Sequence, residues 1–419
     1  MFERIFEKRN EETTLSNPAS WFNSLFNGSI TSSGEKISNT DSFNIGSVFA
    51  CAERRANTIS KLSLHTYKIK NNSKEREYKH PVVKLLENRP NPYLTPSVFK
   101  STLSVHEDIW GNAYIWIESD KITGYPKALW ILDPSTTVIY KEINTGVITY
   151  GALINNKLYT FDNDEIIHLK GLSVDGLVGK SRIEVARETL GNMKATSKFI
   201  GKFYAQGTMS GGILTYPEQL GKETKERIKD EWQKSHSGLD QAGKIALLDK
   251  GLNYKELGMP LKDAEFIESM KFNKEEIGMI FNIPPHKIGL LDRATFSNIE
   301  QQSMEYIGDS IQPVVTQWEE EFTYKLFSKN SRYYIKFNLA SAMRANNESR
   351  ANFYEKMMNQ GVYSINDVRR FEDMNDIGEL GDRHYRSLNY VDIEIADKYQ
   401  LAKANANNLH TGGCENEDE

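Results

Sequence analysis

The spacing of apolar positions along this chain changes from helical to strand-like and back to helical. Over residues 47–62 apolar side chains recur three and four positions apart, which predicts an amphipathic helix. Thr95 followed by Pro96 predicts the start of another helix, because threonine caps a helix and proline suits its first turn. This helix is expected to end before Gly111. The ordered part of the chain, beginning near Ser42, therefore opens with helices.

Between Asn112 and Lys170 the pattern turns to a period of two. Short runs rich in β-branched and aromatic residues alternate there with turns rich in Gly, Asn and Asp. The runs cover residues 113–118, 128–132, 136–140, 147–150, 157–161 and 165–169. Such consecutive strands separated by short turns predict an antiparallel meander.

From Ser181 the helical spacing returns and continues for about 24 residues, or ~36 Å of helix. A second long helix is predicted over residues 263–282. The residues between the two helices, 207–261, predict a small insertion of strands around a charged helix, which Ile228 and Trp232 anchor. Together with the β-rich region, this order of elements predicts the α+β class.

A third long helix is predicted from Asn298 to about Phe327, with an interruption at Pro313. A strand at 333–337 and two or three shorter helices as far as residue 376 complete the folded part. Residues 1–40 are polar and predict either a mobile arm with one short helix or a disordered tail. The acidic residues 398–419 predict a disordered tail.

Length and composition indicate a folded protein with more than one packed region. The chain has 419 residues, whereas a single core rarely grows past ~250–300 residues. Cys51 and Cys414 form no metal spacing or disulfide framework. The charged N-terminus does not resemble a secretion signal, and no apolar run has the ~20 residues of a membrane helix. These features predict a soluble protein that stays in the cell producing it and has no membrane partner.

A row of cations follows one side of the first long helix. Arg187, Lys194, Lys198 and Lys202 stay within about one quadrant of the helix and span ~22 Å. One interpretation is a surface that tracks the backbone of a polyanion without reading bases. The other is an ordinary solvated helix face. The net charge of −5 predicts that any contact with nucleic acid is weak or local.

The segment after the second long helix, residues 286–297, is predicted to be an irregular loop. It combines apolar side chains with an arginine, at Leu290, Leu291, Arg293 and Phe296. A loop of about 12 residues without structure of its own is often functional. The alternative is a surface turn whose apolar residues pack onto a neighbour.

The motifs of known catalytic and cofactor sites are missing from the sequence. Gly176–Ser181 approaches a phosphate-binding loop, but Val174 stands where that motif requires glycine, which favours a glycine turn with Ser181 as a helix cap. The eight histidines have no metal-ligand spacing. His106, in the run His-Glu-Asp, is interpreted as a packed or surface residue of a helix. No catalytic residue, metal site or cofactor is predicted.

Several stretches in this order resemble the portal, or head-to-tail connector, family of tailed double-stranded DNA phages, in the branch of long flexible-tailed phages. They are residues 48–62, 80–86 with 89–92, 110–114 with 132–134, 165–169 with 176–181, 283–289 and 294–302. The most specific is Ile-Pro-Pro-His-Lys-Ile-Gly at 283–289. Together they span roughly residues 45–395. Each is weak alone, but their order on these helices and strands is specific.

The resemblance implies an α+β portal-type fold with a β-rich wing, two long stem helices flanking a small clip, a long kinked helix and a helical crown. The implied layout is a mobile arm at 1–40, the wing at 41–180, stem helix 1 at 181–206, the clip at 207–261, stem helix 2 at 262–285, the tunnel loop at 286–297, the kinked helix with a wing strand at 298–344, the crown at 345–397 and the acidic tail at 398–419.

The resemblance also implies a closed ring, typically of twelve subunits, at the portal vertex of the virion, assembled in the host cytoplasm. Its expected partners are the terminase large subunit, the capsid or scaffold protein, a head-completion or tail adaptor, and double-stranded DNA bound without sequence preference. Arg187 and the three lysines would lie near the DNA path. The four residues of the loop after the second helix would line or gate the channel, and Ile228 and Trp232 would build the clip.

Two other functions stay open at the level of sequence. One is an enzyme of a mobile element that acts on nucleic acid or nucleotide, with residues 176–181 as a divergent site. The other is a generic interaction scaffold. ATPase or nuclease activity of the purified protein would favour the enzyme, and images of the particles would separate rings, monomers and irregular assemblies.

Overall fold

The computed structural model describes residues 29–70, 73–142, 145–206, 212–217, 219–236, 251, 253–256, 264–290, 296–327, 331–339, 347–372, 374–385, 398 and 400–402. The chain divides into two compact units, Met1–Met343 and Arg344–Glu419.

The described part of the first unit starts with a small hairpin and two helices. Strands β1 (Ser29–Ile30) and β2 (Lys36–Ile37) pair antiparallel, and the short helix α1 (Asn39–Ser42) and the longer α2 (Gly46–Lys61) follow. The prediction of a mobile arm over 1–40 is therefore wrong for its last third. Ile37 is 2% exposed within the core, and this burial fixes the hairpin to the protein.

The second group of elements follows α2 in the chain, and its longest helix packs against α2. It consists of β3 (Leu64–Lys70), β4 (Ser73–Arg76), the single turn α3 (Pro81–Val83) and the helix α4 (Pro96–Trp110). The side chain of Thr95 accepts a hydrogen bond from Val98 N, and Gly111 ends α4 in the left-handed conformation at φ 77°. Both predicted ends of α4 are therefore confirmed.

The β-rich region forms two three-stranded sheets. Its strands are β5 (Asn112–Ser119), β6 (Pro126–Leu132), β7 (Thr137–Lys141), β8 (Ile148–Ile154), β9 (Lys157–Asp162) and β10 (Ile166–Lys170). The orders are β10-β5-β6 and β7-β8-β9, all antiparallel. The prediction of one meander is therefore wrong, because β6 and β7 lie in different sheets and β10 returns to pair with β5 at the edge of the first sheet, with Ile166 and Ile167 buried.

The predicted first long helix is divided. The short helix α5 (Arg182–Val185) precedes α6 (Arg187–Gln206), and Ala186 between them departs from helical geometry with ψ 2°. The single helix predicted from Ser181 was wrong at this point. Arg182 hydrogen bonds to Asp108 of α4, which holds the α5 turn against α4 while α6 continues beyond it.

The insertion and the second long helix follow α6. Described parts of the insertion are β11 (Gly212–Thr215), α7 (Lys222–His236) and β12 (Asn253–Glu256), with β11 and β12 paired antiparallel. The strand predicted over 244–248 lies outside the described residues. Helix α8 (Ala264–Ile280) confirms the second long helix, and Asn282 just after it adopts the left-handed conformation at φ 54°.

The first unit closes with helix α9 (Phe296–Glu305), a π-helical segment (Tyr306–Ile311), helix α10 (Gln312–Leu326) and strand β13 (Tyr333–Phe337). The predicted interruption lies at the π-helical segment, directly before Pro313 in the first turn of α10. Strand β13 pairs with β3, so that the sheet order is β13-β3-β4. Trp318 and Phe322 of α10 are almost completely buried in the main core.

The second unit contains helices α11 (Asn347–Asn359) and α12 (Ile365–Phe371) and a 3-10 turn (Glu379–Asp382). A capping box begins α12, because the Ser364 side chain accepts from Asp367 N while the Asp367 carboxylate accepts from Ser364 N. Asn366 is buried and donates to Gly378 O and Asp382 Oδ1, which fastens the 3-10 turn to α12. The shorter helices predicted after residue 347 are confirmed.

Candidate DNA-facing surface on the long helices

Helices α6 and α8 lie side by side and run in opposite directions. Thr189 on α6 donates to Glu276 Oε2 on α8 at 2.9 Å. Farther along α6, Met193 and Ser197 line a cleft together with Met270, which precedes Glu276 in the sequence. Since residue numbers rise along α6 as they fall along α8, the pair is antiparallel.

The predicted cation row lies on α6 with its exposure increasing along the helix. The side chain of Lys194 is 31% exposed and that of Lys198 is 56% exposed. Lys202, about one helical turn farther along, is also exposed. At the other end, Arg187 lines a pocket of about 330 Å³ with Asn39 and Glu184. Solvent exposure along the row therefore increases from Arg187, in a pocket at the start of α6, to Lys202 on the open surface.

The hairpin β1–β2 is seated on the same helix. Thr31 lies so close to Gly191 that a Cβ atom added to Gly191 would stand 2.4 Å from Thr31 Oγ1. Ser32 donates from both N and Oγ to Glu188 Oε2, at 3.0 and 2.6 Å. Only glycine at position 191 leaves room for this contact, and it brings the hairpin backbone alongside the lysines.

Two of the lysines are bound by the hairpin. Lys194 Nζ donates to Lys36 O at 2.8 Å, and Lys198 Nζ donates to both carboxylate oxygens of Glu35, at 2.8 and 2.6 Å. Glu35 also lies 3.8 Å from Lys194 Nζ. This partner could not be predicted from the sequence, because residues 29–37 carry only a weak strand pattern and lie far from α6 along the chain.

The segment predicted to form the tunnel loop begins beside the two long helices. Leu290 is half-buried and lines the cleft of about 700 Å³ that Met193 and Met270 also line. Leu291 and Arg293 lie outside the described residues, as does the side chain of Phe296, the first residue of α9. His286 bonds to Gln302 Oε1 at 2.8 Å and to Ser303 Oγ at 3.3 Å, so the chain before residues 291–295 is joined to α9 after them.

A buried charge cluster fixes the end of α8 to the helices beneath it. Asp108 accepts hydrogen bonds from Arg55 Nε on α2, at 3.0 Å to each carboxylate oxygen, and from Arg182 Nε at 2.9 Å. Arg55 also donates to Phe281 O, and Arg182 donates to Ile280 O. Cationic groups at the C-terminal end of a helix satisfy its free carbonyls and interact favourably with its dipole.

Glu107, next to Asp108, belongs to the same buried region but makes a different contact. Its Oε2 accepts a hydrogen bond from Trp318 Nε1 on α10 at 2.8 Å. Burial, and then the neighbouring Asp108, raise the pKa of Glu107 to about 7. His106 is packed against Trp110, as predicted, and the two acids that follow it, Glu107 and Asp108, are buried. The sequence signal for this burial was a pair of acidic residues, Glu107 and Asp108, on a helix with apolar residues around them.

The glycine loop does not form a phosphate cradle, because the amides of residues 177–180 already have partners. Leu177 N and Val178 N donate to Asp175 Oδ1, Gly179 N donates to Asn112 Oδ1, and Lys180 N donates to Leu172 O. The Ser181 side chain accepts from Ile183 N and Glu184 N and caps α5. The prediction of a glycine turn with a helix cap is confirmed.

A buried histidine near that loop has a structural environment. His168 Nε2 lies 2.9 Å from Asn112 Oδ1, and its Nδ1 lies 3.4 Å from the Tyr150 hydroxyl. Burial lowers the pKa of His168 to about 3. A histidine that stays neutral at physiological pH and joins the two β-sheets serves packing, and it is unsuited to pick up a proton in catalysis.

The predicted clip residues lie on α7. Ile228 is half-buried there, and the side chain of Trp232 lies outside the described residues. Among the described residues, no group of three His, Cys, Asp or Glu side chains could hold a metal ion. In the same described residues, no helix has the length and apolar character needed to cross a membrane.

Solved structures share this fold. A protein in the virion of a native gene transfer agent particle matches 80% of this chain and 93% of its own, with a TM-score of 0.56 and 20% identity. A chain from the neck of a native particle, computed with C12 symmetry, matches 80% and 91% with a TM-score of 0.56. An HK97-family phage portal protein from Corynebacterium diphtheriae matches 73% and 96%, with a TM-score of 0.55 and 15% identity. The fold is thus that of portal-type subunits.

Sequence comparison identifies the family. The family model described as phage portal protein matches residues 47–373, and the chain belongs to that family. The probable portal protein of Streptomyces phage phiC31 is 26% identical over 393 residues, covering 88% of this chain and 84% of its own. The portal protein of Enterobacteria phage HK97 is 28% identical over 355 residues, covering 83% of each. The hairpin β1–β2 lies before the residues that the family model matches.

Proposed function

We propose that this portal protein forms a closed ring at one vertex of the capsid, through which double-stranded DNA is packaged and ejected. The observation that carries the proposal is the family match over residues 47–373, which encloses both long helices and the insertion between them. The C12 symmetry used for the neck of a gene transfer agent particle supports twelve subunits. In such a ring each subunit uses two different faces against its two neighbours, so the contacts are heterologous and closed.

Within this ring, α6 and α8 are the proposed stem and residues 207–261 the proposed clip. The antiparallel contact between Thr189 and Glu276 supports a stem of two helices, and the pairing of β11 with β12 supports a separately folded clip built around Ile228 and Trp232. The β-rich region before Ser181 is the proposed wing, and residues 345–397 are the proposed crown.

DNA would pass along the row formed by Arg187, Lys194, Lys198 and Lys202. A channel must hold a polyanion without stopping it, and a sparse row on a mildly acidic chain suits this requirement, since many simultaneous lysine contacts bind tightly. Leu290 lines the cleft between the long helices, which supports a position of the tunnel loop, with Leu291, Arg293 and Phe296, next to the stem.

The proposed partners are those of a portal vertex. They are other copies of this chain, the terminase large subunit, the capsid or scaffold protein, and a head-completion or tail adaptor. Assembly would take place in the host cytoplasm and the finished ring would stay in the virion. No catalytic step or cofactor is proposed, and the occupied amides of the glycine loop give no support to the alternative of a nucleotide-acting enzyme.

Negative-stain images of the purified chain test the ring directly. We expect rings with a central hole and no ATPase or nuclease activity of the protein alone. Stable compact monomers under assembly conditions, or turnover of a substrate by the isolated chain, would overturn the proposal.

Charge reversal tests the DNA path in particles. With Lys194, Lys198 and Lys202 all changed to Glu, rings should assemble while DNA packaging becomes abnormal. Lys202→Glu alone is the informative partner variant, because Glu35 binds the other two lysines. Normal packaging by the triple variant would count against a DNA-facing row.

Deletion of residues 290–296 tests the tunnel loop. Ring formation should survive, since α6 and α8 contact each other through Thr189 and Glu276 without this segment. DNA packaging or retention should fall. Failure of the deleted protein to form rings would show that the loop is structural.

A further inference from the structure

Glu35 pairs with two of the cations that the proposed function assigns to DNA, Lys194 and Lys198. Both carboxylate oxygens of Glu35 accept hydrogen bonds from Lys198 Nζ, and one lies 3.8 Å from Lys194 Nζ. The Glu35 side chain is only 14% exposed although Lys198 is 56% exposed. The carboxylate therefore lies beneath Lys198, whose side chain stays more than half exposed to solvent.

The hairpin that carries Glu35 has a built seat on α6. Thr31 fills the space left by the missing side chain of Gly191, and Ser32 binds Glu188 through two hydrogen bonds. Ile37 at the far end of the hairpin is 2% exposed in the core. Thr31 Oγ1 additionally accepts a hydrogen bond from Glu35 N at 3.2 Å. These contacts position the Glu35 carboxylate, so its pairing with the lysines is a property of the fold.

We propose that Glu35 is a built-in competitor of DNA phosphates at Lys194 and Lys198. The proposal rests on the proposed function, in which double-stranded DNA passes along α6. Lys198 Nζ already hydrogen bonds to both oxygens of Glu35 and Lys194 Nζ lies 3.8 Å from one of them, so less of the positive charge of the two lysines is left to attract a phosphate. The hairpin thus lowers the number of phosphates that each subunit can neutralise.

The competition has a direct consequence for a moving duplex. Each phosphate neutralised by a lysine releases counterions and adds to affinity, and a lysine returned to Glu35 gives up that gain. Because the two lysines are 31% and 56% exposed, their pairing with Glu35 is weak enough to be exchanged with passing phosphates. Lys194 and Lys198 then make only transient contacts with the DNA, because each lysine alternates between binding a phosphate and binding Glu35.

Binding of a short DNA duplex to the full-length protein, followed by fluorescence anisotropy across a salt titration, tests the proposal. Glu35→Gln keeps the size of the side chain and removes its charge. Its matched control is Glu320→Gln, which makes the same charge change at an exposed position of α10. At low salt, Glu35→Gln should bind more tightly than both the wild type and the control.

The salt dependence gives the expected size of the effect. Between 50 and 200 mM salt, the advantage of Glu35→Gln should shrink by about threefold if one lysine per bound subunit gains a phosphate, and by about twelvefold if both do. Gly191→Val, which forces Thr31 out of its seat without a change of charge, should show the same steeper dependence. Neutralising Lys194 and Lys198 to Gln in the Glu35→Gln background should abolish the gain.

Two outcomes would overturn the proposal. One leaves the DNA-facing row of the proposed function intact, and the other contradicts that row as well. If Lys194→Gln with Lys198→Gln weakens binding while Glu35→Gln and Gly191→Val bind like the wild type, the row faces DNA but Glu35 does not compete for it. If none of these variants changes binding, the DNA-facing row of the proposed function fails as well. Circular dichroism of each variant shows whether it is folded before its binding is compared.

Discussion

Asp108 and Glu35 each bind two cationic side chains, but the two clusters have opposite properties. Asp108 and Arg55 are both 1% exposed, whereas Glu35 binds lysines that reach the surface. Arginine offers a planar, forked set of donors that suits a buried carboxylate, and lysine offers a flexible, strongly hydrated charge. The buried cluster can only hold the fold together, while the exposed cluster can exchange partners.

The difference also lies in what each cluster joins. Asp108 draws together α2, α4, α5 and the last carbonyls of α8, all parts of one core. Glu35 joins a two-residue strand pair to one helix. Removing a partner from the first leaves charges without water or a counter-ion, and removing a partner from the second leaves them in solvent.

The largest effect is expected from Asp108→Asn. The change leaves the buried Arg55 guanidinium without its anionic partner, and breaking a buried pair in this way costs about 3–5 kcal/mol. Urea unfolding at one protein concentration should show a correspondingly lower free energy of unfolding.

The matched control for Asp108→Asn is Glu118→Gln, which makes the same type of change in a partly exposed pair with Lys127. It should cost less than about 1 kcal/mol. If Asp108→Asn and Glu118→Gln destabilise the protein equally, the distinction between buried and exposed clusters loses its basis.

A smaller effect, dependent on pH, is expected from Glu107→Gln. The pKa of Glu107 is raised from 4.5 to about 7 in the folded protein, so the folded state holds a proton in this range that the unfolded chain releases. Its contribution to the free energy of unfolding therefore falls as pH rises from 4.5 through 7, by at most about 3 kcal/mol. Glutamine cannot ionise and can still accept a hydrogen bond from Trp318.

Unfolding measured from pH 5 to pH 8 checks this prediction. The stability of Glu107→Gln relative to the wild type should increase with pH across the window, whereas Glu118→Gln should run parallel to the wild type. A constant difference between Glu107→Gln and the wild type would show that Glu107 does not titrate there.

Local signals in the sequence predicted single elements well. Thr95, Pro96 and Gly111 define the ends of α4 as expected, because caps and left-handed glycines act within a few residues. The antiparallel pairing of β7, β8 and β9 also follows from adjacent runs and short turns. These features need no knowledge of distant parts of the chain.

Contacts between distant residues were the part that could not be predicted. The pairing of β10 with β5 depends on which strand the folded core places beside it, and one sequence cannot show that. Asp108 meets Arg55 and Arg182 across 53 and 74 residues, and Lys198 meets Glu35 across 163. The spacing of cations on α6 predicted a row, but the acidic partner of two of them lies in a segment whose polar composition predicted an arm.

The smallest effect on stability is expected from Glu35→Gln. This variant tests whether the Glu35 cluster, unlike the Asp108 cluster, contributes little to the stability of the fold. An exposed lysine–carboxylate pair contributes about 0–1 kcal/mol, and the hairpin keeps its contacts through Thr31, Ser32 and Ile37. The urea midpoint should therefore stay close to that of the wild type. If Glu35→Gln instead lowered the free energy of unfolding by several kcal/mol, Glu35 would hold the fold together as Asp108 does. Its pairing with the lysines would then be too strong for passing DNA phosphates to displace.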